Sequence, residues 1–310
     1  MPTLGALVLF GVFFAGAASA ASAAVDEAPP AASATPPAPT PRCPDDAGWS
    51  DPTPPLKVFG NTWYVGTCGI SALLITGDDG HVLIDGATPE AGPMIVESIR
   101  ALGFDPRDVR VLLNTHEHID HAGGLAVIQA ATGAPLRARA PGLIALRKGD
   151  MDVRDPQVAF RMPAFPPVQV IETLADNAVV RVGDLAIQTH ATPGHSLGGT
   201  SFTWTSCEGE VCRAMAFADS LSAVAPDSYR FSNPMNSPAF VPLLRATFEK
   251  VAALPCDILI SPHPVASRLW YRLGRAPTEA LVDPTACKRY ADAGAQRLAT
   301  RLDSEQKTAP

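Results

Sequence analysis

The residues best suited to chemistry stand in one run, Asn114-Thr115-His116-Glu117-His118-Ile119-Asp120-His121. Three imidazoles and an aspartate fall within residues 116–121, and imidazole nitrogens and carboxylate oxygens are ligands of catalytic zinc. The apolar run 109–113 before it predicts a short buried strand, and the glycines after His121 predict the start of a helix. The run is therefore expected in a loop at the end of a strand.

The spacing within this run predicts two adjacent metal sites. His116 and His118 are two residues apart, so on an extended chain both side chains leave the same face. Where the chain turns into the helix, Asp120 and His121 can reach a second point close by. The alternative is a solvated histidine-rich loop, which is disfavoured because histidines further along the chain can complete both sites.

Those histidines are His195, which follows Thr-Pro-Gly, and His263, which lies between two prolines. The chain has seven histidines, and the two outside these ligand-like positions are His81 and His190. Neither of the two has a partner motif. We interpret both as structural, with His190 buried in a strand or capping it.

The elements that must position these residues alternate between strands and helices. Strands are predicted at 63–65, 70–75, 82–84, 109–114, 135–139, 200–206, 213–218 and 258–260, and 168–192 begins a second set of strands. Helices are predicted at 93–102, 121–131, 143–148, 240–253 and over most of 265–306, and loops near the site at 150–167 and 223–239. Two comparable halves, each ending in ligand loops, predict an α/β fold, a four-layer αβ/βα sandwich with its ligands where the two sheets meet.

The N-terminal segment predicts export. Residues 1–20 are apolar, end in Ala-Ser-Ala and are too short to span a bilayer comfortably, which is typical of a cleaved signal peptide. Residues 21–42 are mostly Ala, Pro, Ser and Thr and are expected to form a disordered tether, so that 43–310 is the folded domain. The formal charge of −7 provides no basic patch for nucleic acid, and no Lys/Arg cluster indicates a membrane surface.

Six cysteines in an exported chain predict disulfides, although six cysteines allow many connectivities. Three pairs are favoured by position along the predicted elements. They are Cys207–Cys212 across a hairpin tip, Cys43–Cys68 between the N-terminal arm and the first hairpin, and Cys256–Cys287 between the last strand and the C-terminal helix. The alternative is that some of the six are buried free thiols.

The run 116–121, together with His195 after Thr-Pro-Gly and His263 before proline, resembles the metallo-β-lactamase superfamily over about residues 56–290. Within it the chain is most similar to the third subclass of class B β-lactamases, which has serine where the first subclass has a metal-binding cysteine. Residues 61–66 and 218–222 are also similar to that subclass, and Cys256 with Cys287 fits its C-terminal disulfide. The resemblance implies the metallo-β-lactamase fold.

The resemblance also implies two Zn²⁺ ions per chain. The first would be held by His116, His118 and His195, and the second by Asp120, His121 and His263. Such a pair supplies a hydroxide that attacks the lactam carbonyl, while Asp120 orients the nucleophile and can relay a proton.

Substrate contacts are expected from loops around the metals. Ser220 and Ser222 are candidates for binding the substrate carboxylate, with ordinary structural roles as the alternative. Tyr229 and Gln157 lie in loops expected to rim the cleft. Glu117 lies between two ligands and is expected to point away from the ions.

Three functions compete on these residues. The first is a monomeric, periplasmic zinc β-lactamase that acts on carbapenems, cephalosporins and penicillins and gives antibiotic resistance. The second is a thioesterase or lactonase of the same fold, similar to glyoxalase II, in which Asp219 would bridge both metals. If the protein is a β-lactamase, we expect instead that Ser220 faces the second ion and that Asp219 is held away from the ions. The third is a non-catalytic exported zinc-binding protein, disfavoured because a closed structural site needs four protein ligands and here each ion has three.

Overall fold

The computed structural model of the chain describes residues 1, 2, 7, 9–11, 43–236, 238–273 and 277–307. The predicted signal peptide, 1–20, lies mostly outside the described residues, and the predicted tether, 21–42, lies wholly outside them. The described residues between 43 and 307 belong to one compact unit, which contains the strands and helices given below.

Twelve strands and seven α-helices are present in the described part of the chain. The strands are β1 Leu56–Phe59, β2 Thr62–Tyr64, β3 Leu73–Ile75, β4 His81–Ile84, β5 Val109–Leu113, β6 Leu136–Arg139, β7 Ile171–Leu174, β8 Val179–Val182, β9 Leu185–Ala191, β10 Thr200–Glu208, β11 Val211–Phe217 and β12 Ile258–Ile260. The helices are α1 Ala91–Ala101, α2 Ile119–Ala122, α3 Leu125–Thr132, α4 Leu143–Lys148, α5 Phe240–Ala252, α6 Leu269–Arg272 and α7 Ala286–Lys307. Among these helices none combines the length and the apolar character needed to cross a bilayer.

The strands form two mixed sheets. The first has seven strands in chain order, β1 to β7; its first four are antiparallel, and β4, β5, β6 and β7 are parallel. The second has the order β12-β11-β10-β9-β8, in which β8 to β11 are antiparallel and β12 is parallel to β11. The carboxyl ends of β4, β5 and β6 therefore share one edge of the first sheet, and those of β9, β11 and β12 share one edge of the second.

Three apolar layers hold these elements together. Successive residues of a strand point to opposite faces of the sheet, so Leu83 of β4 packs with α1 and α3 whereas Val82 packs between the two sheets. In the second sheet Phe217 of β11 contributes to the layer between the sheets, and Ala216 to the layer beneath α5 and α7. Helices, sheet, sheet and helices thus form four layers, and the predicted αβ/βα sandwich is confirmed.

The helix predicted at 121–131 is divided into α2 and α3 by two glycines. A Cβ atom on Gly124 would collide with the carbonyl oxygen of Gly86, and one on Gly123 would collide with Pro89. The glycines allow the ligand loop to approach the segment after β4, and this close approach could not be read from hydrophobic periodicity.

The strand predicted at 70–75 is also shorter than expected. Residues 65–72 form a tight turn in which Val65 N donates to Ala72 O at 2.9 Å and Thr67 N to Ile70 O at 2.9 Å. The Tyr64 hydroxyl also donates to Ile70 O at 2.9 Å, and Ile70 is fully buried. An apolar residue in a buried turn produces the same sequence signal as one in a strand.

All six cysteines form disulfides, in the same three pairs that their positions favoured. Their Cα–Cα distances are 5.2 Å for Cys43–Cys68, 4.0 Å for Cys207–Cys212 and 6.2 Å for Cys256–Cys287. The first bridge ties the arm before β1 to the turn after β2, so it helps to hold Trp49 of that arm in place.

Candidate metal centre

The candidate ligands come from the carboxyl ends of strands in both sheets, at the edge of each sheet described above. Residues 114–121 follow β5, His195 follows β9 and His263 follows β12. The backbone joins the first two of these segments, because Thr200 N donates to Thr115 O at 2.7 Å. In open α/β sheets, ligand sites lie outside the carboxyl ends of the strands, where the loops from several strands meet.

Three buried histidines form the first cluster. The ring centroids of His116, His118 and His195 lie 4.8 to 4.9 Å apart in all three pairings. One ligand atom from each lies within 4.8 Å of the others. This cluster is the set that the resemblance assigns to the first ion.

The second cluster is centred on Asp120. Its Oδ2 lies 3.1 Å from His121 Nε2 and 3.3 Å from His263 Nε2, and the rings of these two histidines are 5.1 Å apart. His121 and Asp120 also form a metal-sized group with His116, whose ring is 4.2 Å from that of His121. The two clusters therefore adjoin, as a dinuclear centre requires.

The histidines of the first cluster are oriented through the nitrogens that face away from it. His116 Nδ1 donates to Asp219 Oδ1 at 2.8 Å, and His195 Nδ1 to the carbonyl oxygen of Ser222 at 2.9 Å. His116 Nε2 is left buried without a hydrogen-bond partner. A buried polar atom normally has a partner, and metal-binding histidines typically donate their second nitrogen to a carboxylate or carbonyl. The arrangement fits a bound cation.

Two further carboxylates that the sequence analysis did not single out lie beside the ligands, and only the first is within hydrogen-bond distance. Asp155 Oδ2 lies 3.0 Å from His118 Nε2, and Asp85 Oδ2 lies 3.7 Å from His121 Nδ1. Asp85 has a positive φ of 68° and accepts from the amide and hydroxyl of Thr115, both at 2.6 Å. This unfavourable backbone conformation is retained where the surrounding hydrogen bonds impose it.

Burial and neighbouring charges shift the pKa values of these groups. Burial, aided by the charges of nearby histidines, lowers the pKa of His116 well below its usual value and that of His195 to about 3. Burial also acts to lower the pKa of His118, but Asp155 outweighs it and raises that pKa to about 9. For Asp120 the nearby His121 and His263 outweigh burial and hold its pKa well below the usual range. His116, His195 and Asp120 are thus in the protonation states that bind metals.

A cavity of about 350 Å³ opens over both clusters. Ligand residues form part of its lining, and Trp49, Met151, Phe160 and Val224 add apolar surface. A mostly apolar pocket with a few convergent polar groups is the usual form of a small-molecule site.

Two of the four expected substrate-contacting residues line this cavity. Gln157 Nε2 lies 3.5 Å from His195 Nε2, and Ser222 holds His195 through its carbonyl and its hydroxyl. Ser220 is buried and Tyr229 packs 5.1 Å from Phe231, and neither belongs to the set of lining residues. The substrate roles of all four stay predictions.

The other singled-out residues lie as follows. His81 is buried with its ring 5.0 Å from Phe104, and His190 in β9 contacts Thr203 Oγ1 at 2.8 Å. Neither belongs to a candidate group of metal ligands, and His190 is only partly buried; their structural roles stay predictions. Glu117 is buried and binds the segment after His195.

Comparison with known proteins places these observations in a family. Residues 65–208 match the model described as the metallo-beta-lactamase superfamily. The chain is 45% identical to the metallo-beta-lactamase MIM-1 from Novosphingobium pentaromativorans, with a TM-score of 0.80, over 85% of this chain and 94% of that one. It is 42% identical to MEM-A1, a subclass B3 metallo-beta-lactamase from a soil metagenome library, with a TM-score of 0.81, over 84% of this chain and 100% of that one.

Curated relatives at lower identity have other activities. An N-acyl homoserine lactonase, AttM, from Rhizobium johnstonii is 31% identical over 42% of this chain and 57% of its own length. A hydroxyacylglutathione hydrolase from Rhodopseudomonas palustris is 28% identical over 68% of this chain and 72% of its own length. The match thus spans little more than half of the lactonase.

Proposed function

Because the chain belongs to the metallo-β-lactamase superfamily, we propose that it hydrolyses the amide bond of β-lactam antibiotics with two bound Zn²⁺ ions. The observation that carries this proposal is the position of Asp219. Its carboxylate lies behind His116, against Nδ1, and is not part of either group of metal-facing atoms. A bridging aspartate, the feature expected of a thioesterase or lactonase of this fold, would have to lie between the two clusters.

Zinc suits the donor set. Histidine nitrogens with one carboxylate are typical ligands of catalytic zinc, and the two sets are those named above: His116, His118 and His195, and Asp120, His121 and His263. When bound, the ions would lower the pKa of water and polarise the substrate carbonyl.

The protein's own groups would complete the reaction. The carboxylate of Asp120 borders the cavity and lies beside both His121 and His263, so it can orient an attacking water and accept its proton. The apolar residues of the wall would lower the local dielectric around the lactam and so strengthen electrostatic interactions within the site. Ser222 and Gln157, which line the wall beside His195, are our candidates for contacts with the polar groups of the substrate, with Ser220 and Tyr229 as further candidates.

The alternative activity rests on the curated relatives, which are named as a lactonase and a hydroxyacylglutathione hydrolase. The placement of Asp219 disfavours it, as does the coverage of the solved β-lactamase chains, which is 94% and 100% for the two described above. A non-catalytic zinc-binding role is least supported, because an open cavity lies above the clusters.

We further propose that the enzyme acts as a monomer in the periplasm, with 1–20 as a cleaved signal peptide, 21–42 as a tether and 43–310 as the catalytic domain. Three disulfides support an oxidising compartment. Apart from the metals, the expected partner is a small-molecule substrate.

Metal dependence tests the proposal. Purified protein should contain two zinc ions per chain, lose hydrolysis of imipenem in EDTA and recover it on addition of Zn²⁺. Hydrolysis that is indifferent to chelation, or active protein without zinc, would contradict it.

A further inference from the structure

Glu117 lies between His116 and His118 in the sequence. Its buried carboxylate forms hydrogen bonds with the loop that carries His195, the third histidine of the first cluster. Glu117 is 3% exposed. Its Oε2 accepts from the Ser196 hydroxyl at 2.8 Å, and its Oε1 accepts from the Gly198 amide at 3.0 Å. Both carboxylate oxygens therefore bind the chain just after His195.

The same segment is held by a buried cation. Arg139, at the end of β6, donates from Nη1 to Gly199 O at 2.9 Å and to Leu197 O at 3.4 Å, and its Nε pairs with Asp176 at 2.5 Å. Ser196 and Gly198 thus donate to the Glu117 carboxylate, whereas the carbonyl oxygens of Leu197 and Gly199 accept from Arg139. Hydrogen bonds to charged groups are stronger than neutral ones, so this segment is held more firmly than an ordinary loop.

Two glycines make room for the carboxylate. A Cβ atom on Gly198 would collide with Glu117 Oε2, and a Cβ on Gly142 would lie 3.2 Å from the same oxygen. Burying a carboxylate is costly unless it is hydrogen-bonded. Glu117 is absent from the residues that line the 350 Å³ cavity, so contact with substrate does not explain this arrangement.

We propose that Glu117 is a positioning residue that sets the distance between the two ligand segments of the three-histidine site. It is the covalent neighbour of His116 and His118, and its side chain fixes the residues that follow His195. Without this link the segment after His195 keeps its bonds to Arg139, and His195 itself keeps its contacts to Ser222 and Gln157, but nothing ties that segment directly to the chain between His116 and His118. The inference rests on the proposed metal centre and goes beyond it, because it assigns the geometry of one site to a residue that binds neither metal nor substrate.

The proposal is tested by zinc affinity without substrate, measured on the full chain by competition with a chromophoric chelator. Glu117→Ala should weaken the three-histidine site by about 10- to 100-fold, the usual loss when a partner of a metal ligand is removed, and leave the Asp120 site close to wild type. Glu117→Gln should stay within about threefold of wild type, because its amide oxygen can accept from Gly198 and its NH₂ can donate to the Ser196 hydroxyl. Circular dichroism checks that each variant is folded.

Two further variants control the experiment. Ser196→Ala removes one of the two bonds and should weaken the same site by a smaller factor than Glu117→Ala; it decides the matter if Glu117→Ala does not fold. His263→Ala should instead weaken the Asp120 site, which shows that the assay resolves the two.

Three results would overturn the inference. The first is wild-type affinity of the three-histidine site in Glu117→Ala, or in Ser196→Ala if the former is unfolded. The second is an equal loss in Glu117→Gln and Glu117→Ala, which would mean that charge and not the hydrogen bonds is responsible. The third is wild-type protein that binds no zinc, a distinct outcome that refutes the metal centre itself.

Discussion

Replacing Asp219 by asparagine separates the two activities that this family of sites can support. Asp219 Oδ1 accepts from His116 Nδ1 at 2.8 Å, and its backbone is fixed by Ser201 Oγ, which accepts from Asp219 N at 2.9 Å, and by the Tyr290 hydroxyl, which donates to Asp219 O at 3.1 Å. Asparagine has nearly the same shape, and its amide oxygen can still accept from His116. Burial raises the pKa of Asp219 well above its usual range, whereas a cation bound at His116 would favour the charged carboxylate. In the metal-bound protein the substitution therefore removes the charge of the contact and retains its geometry.

The expected loss is small and confined to one ion. A hydrogen bond to a charged group contributes about 1 kcal/mol more than a neutral one, which corresponds to about a fivefold weaker three-histidine site. The Asp120 site should keep its affinity. If Asp219 instead bridged both ions, asparagine would remove a charged ligand from each. Both affinities would then fall, each by at least the roughly 10- to 100-fold that loss of a ligand's partner costs.

Zinc content measured by mass spectrometry in buffers of fixed free Zn²⁺ distinguishes these outcomes. Asp108→Asn is the control, because Asp108 is an exposed aspartate paired with Arg110. Loss of both ions together in Asp219→Asn, or a crystal structure with an Asp219 oxygen within about 2.2 Å of zinc, would refute the reasoning and favour the thioesterase or lactonase function.

Three other predictions concern the Asp120 site, the disulfides and the loop 223–239. His263→Ala should weaken the Asp120 site by at least about tenfold and spare the three-histidine site, which stepwise chelator competition would reveal; equal loss at both sites would contradict the assignment. Thiol titration of denatured, unreduced protein should give a value near zero because all six cysteines are paired, and one or more thiols per chain would mean that a bridge is absent. Arg301→Ala removes a hydrogen bond to Tyr229 O at 2.7 Å and two weaker ones to the loop 223–239, so the free energy of unfolding should fall by about 1–3 kcal/mol. KM should also rise, because Val224 of that loop lines the cavity. An unchanged denaturation midpoint and an unchanged KM would contradict this role of Arg301.

Periodicity and local spacing were enough to predict the layers and the clustered ligands. The apolar runs of β5 and β4 follow directly from the burial of nearly all their residues, on both faces of the sheet. His116 and His118 meet on one face because they are two residues apart, which is a local property. The splitting of the helix after His121 was missed, because it depends on how closely Gly86 and Pro89 approach from another part of the chain.

The partners of the ligands could not be predicted in the same way. Asp155 is 37 positions from His118, and Asp219 is 103 positions from His116. Asp85 belongs to a third segment of the chain. The sequence singled out Asp219 only as a possible bridging ligand. Its contact with His116, and the roles of Asp85 and Asp155, are identified only when folding brings strand ends together. Metal-binding histidines generally have carboxylate partners, but this rule does not say which aspartates of the chain fill that role. In the sequence, an aspartate that supports a ligand looks the same as one in a structural ion pair or a turn.

Substrate preference tests the central claim most directly. The zinc-loaded protein should be assayed in a single preparation with imipenem, a cephalosporin, S-lactoylglutathione and an N-acyl homoserine lactone, and kcat/KM determined for each. The account predicts that a β-lactam has the highest kcat/KM, by roughly tenfold or more over the thioester and the lactone. A higher kcat/KM for the thioester or the lactone would contradict it.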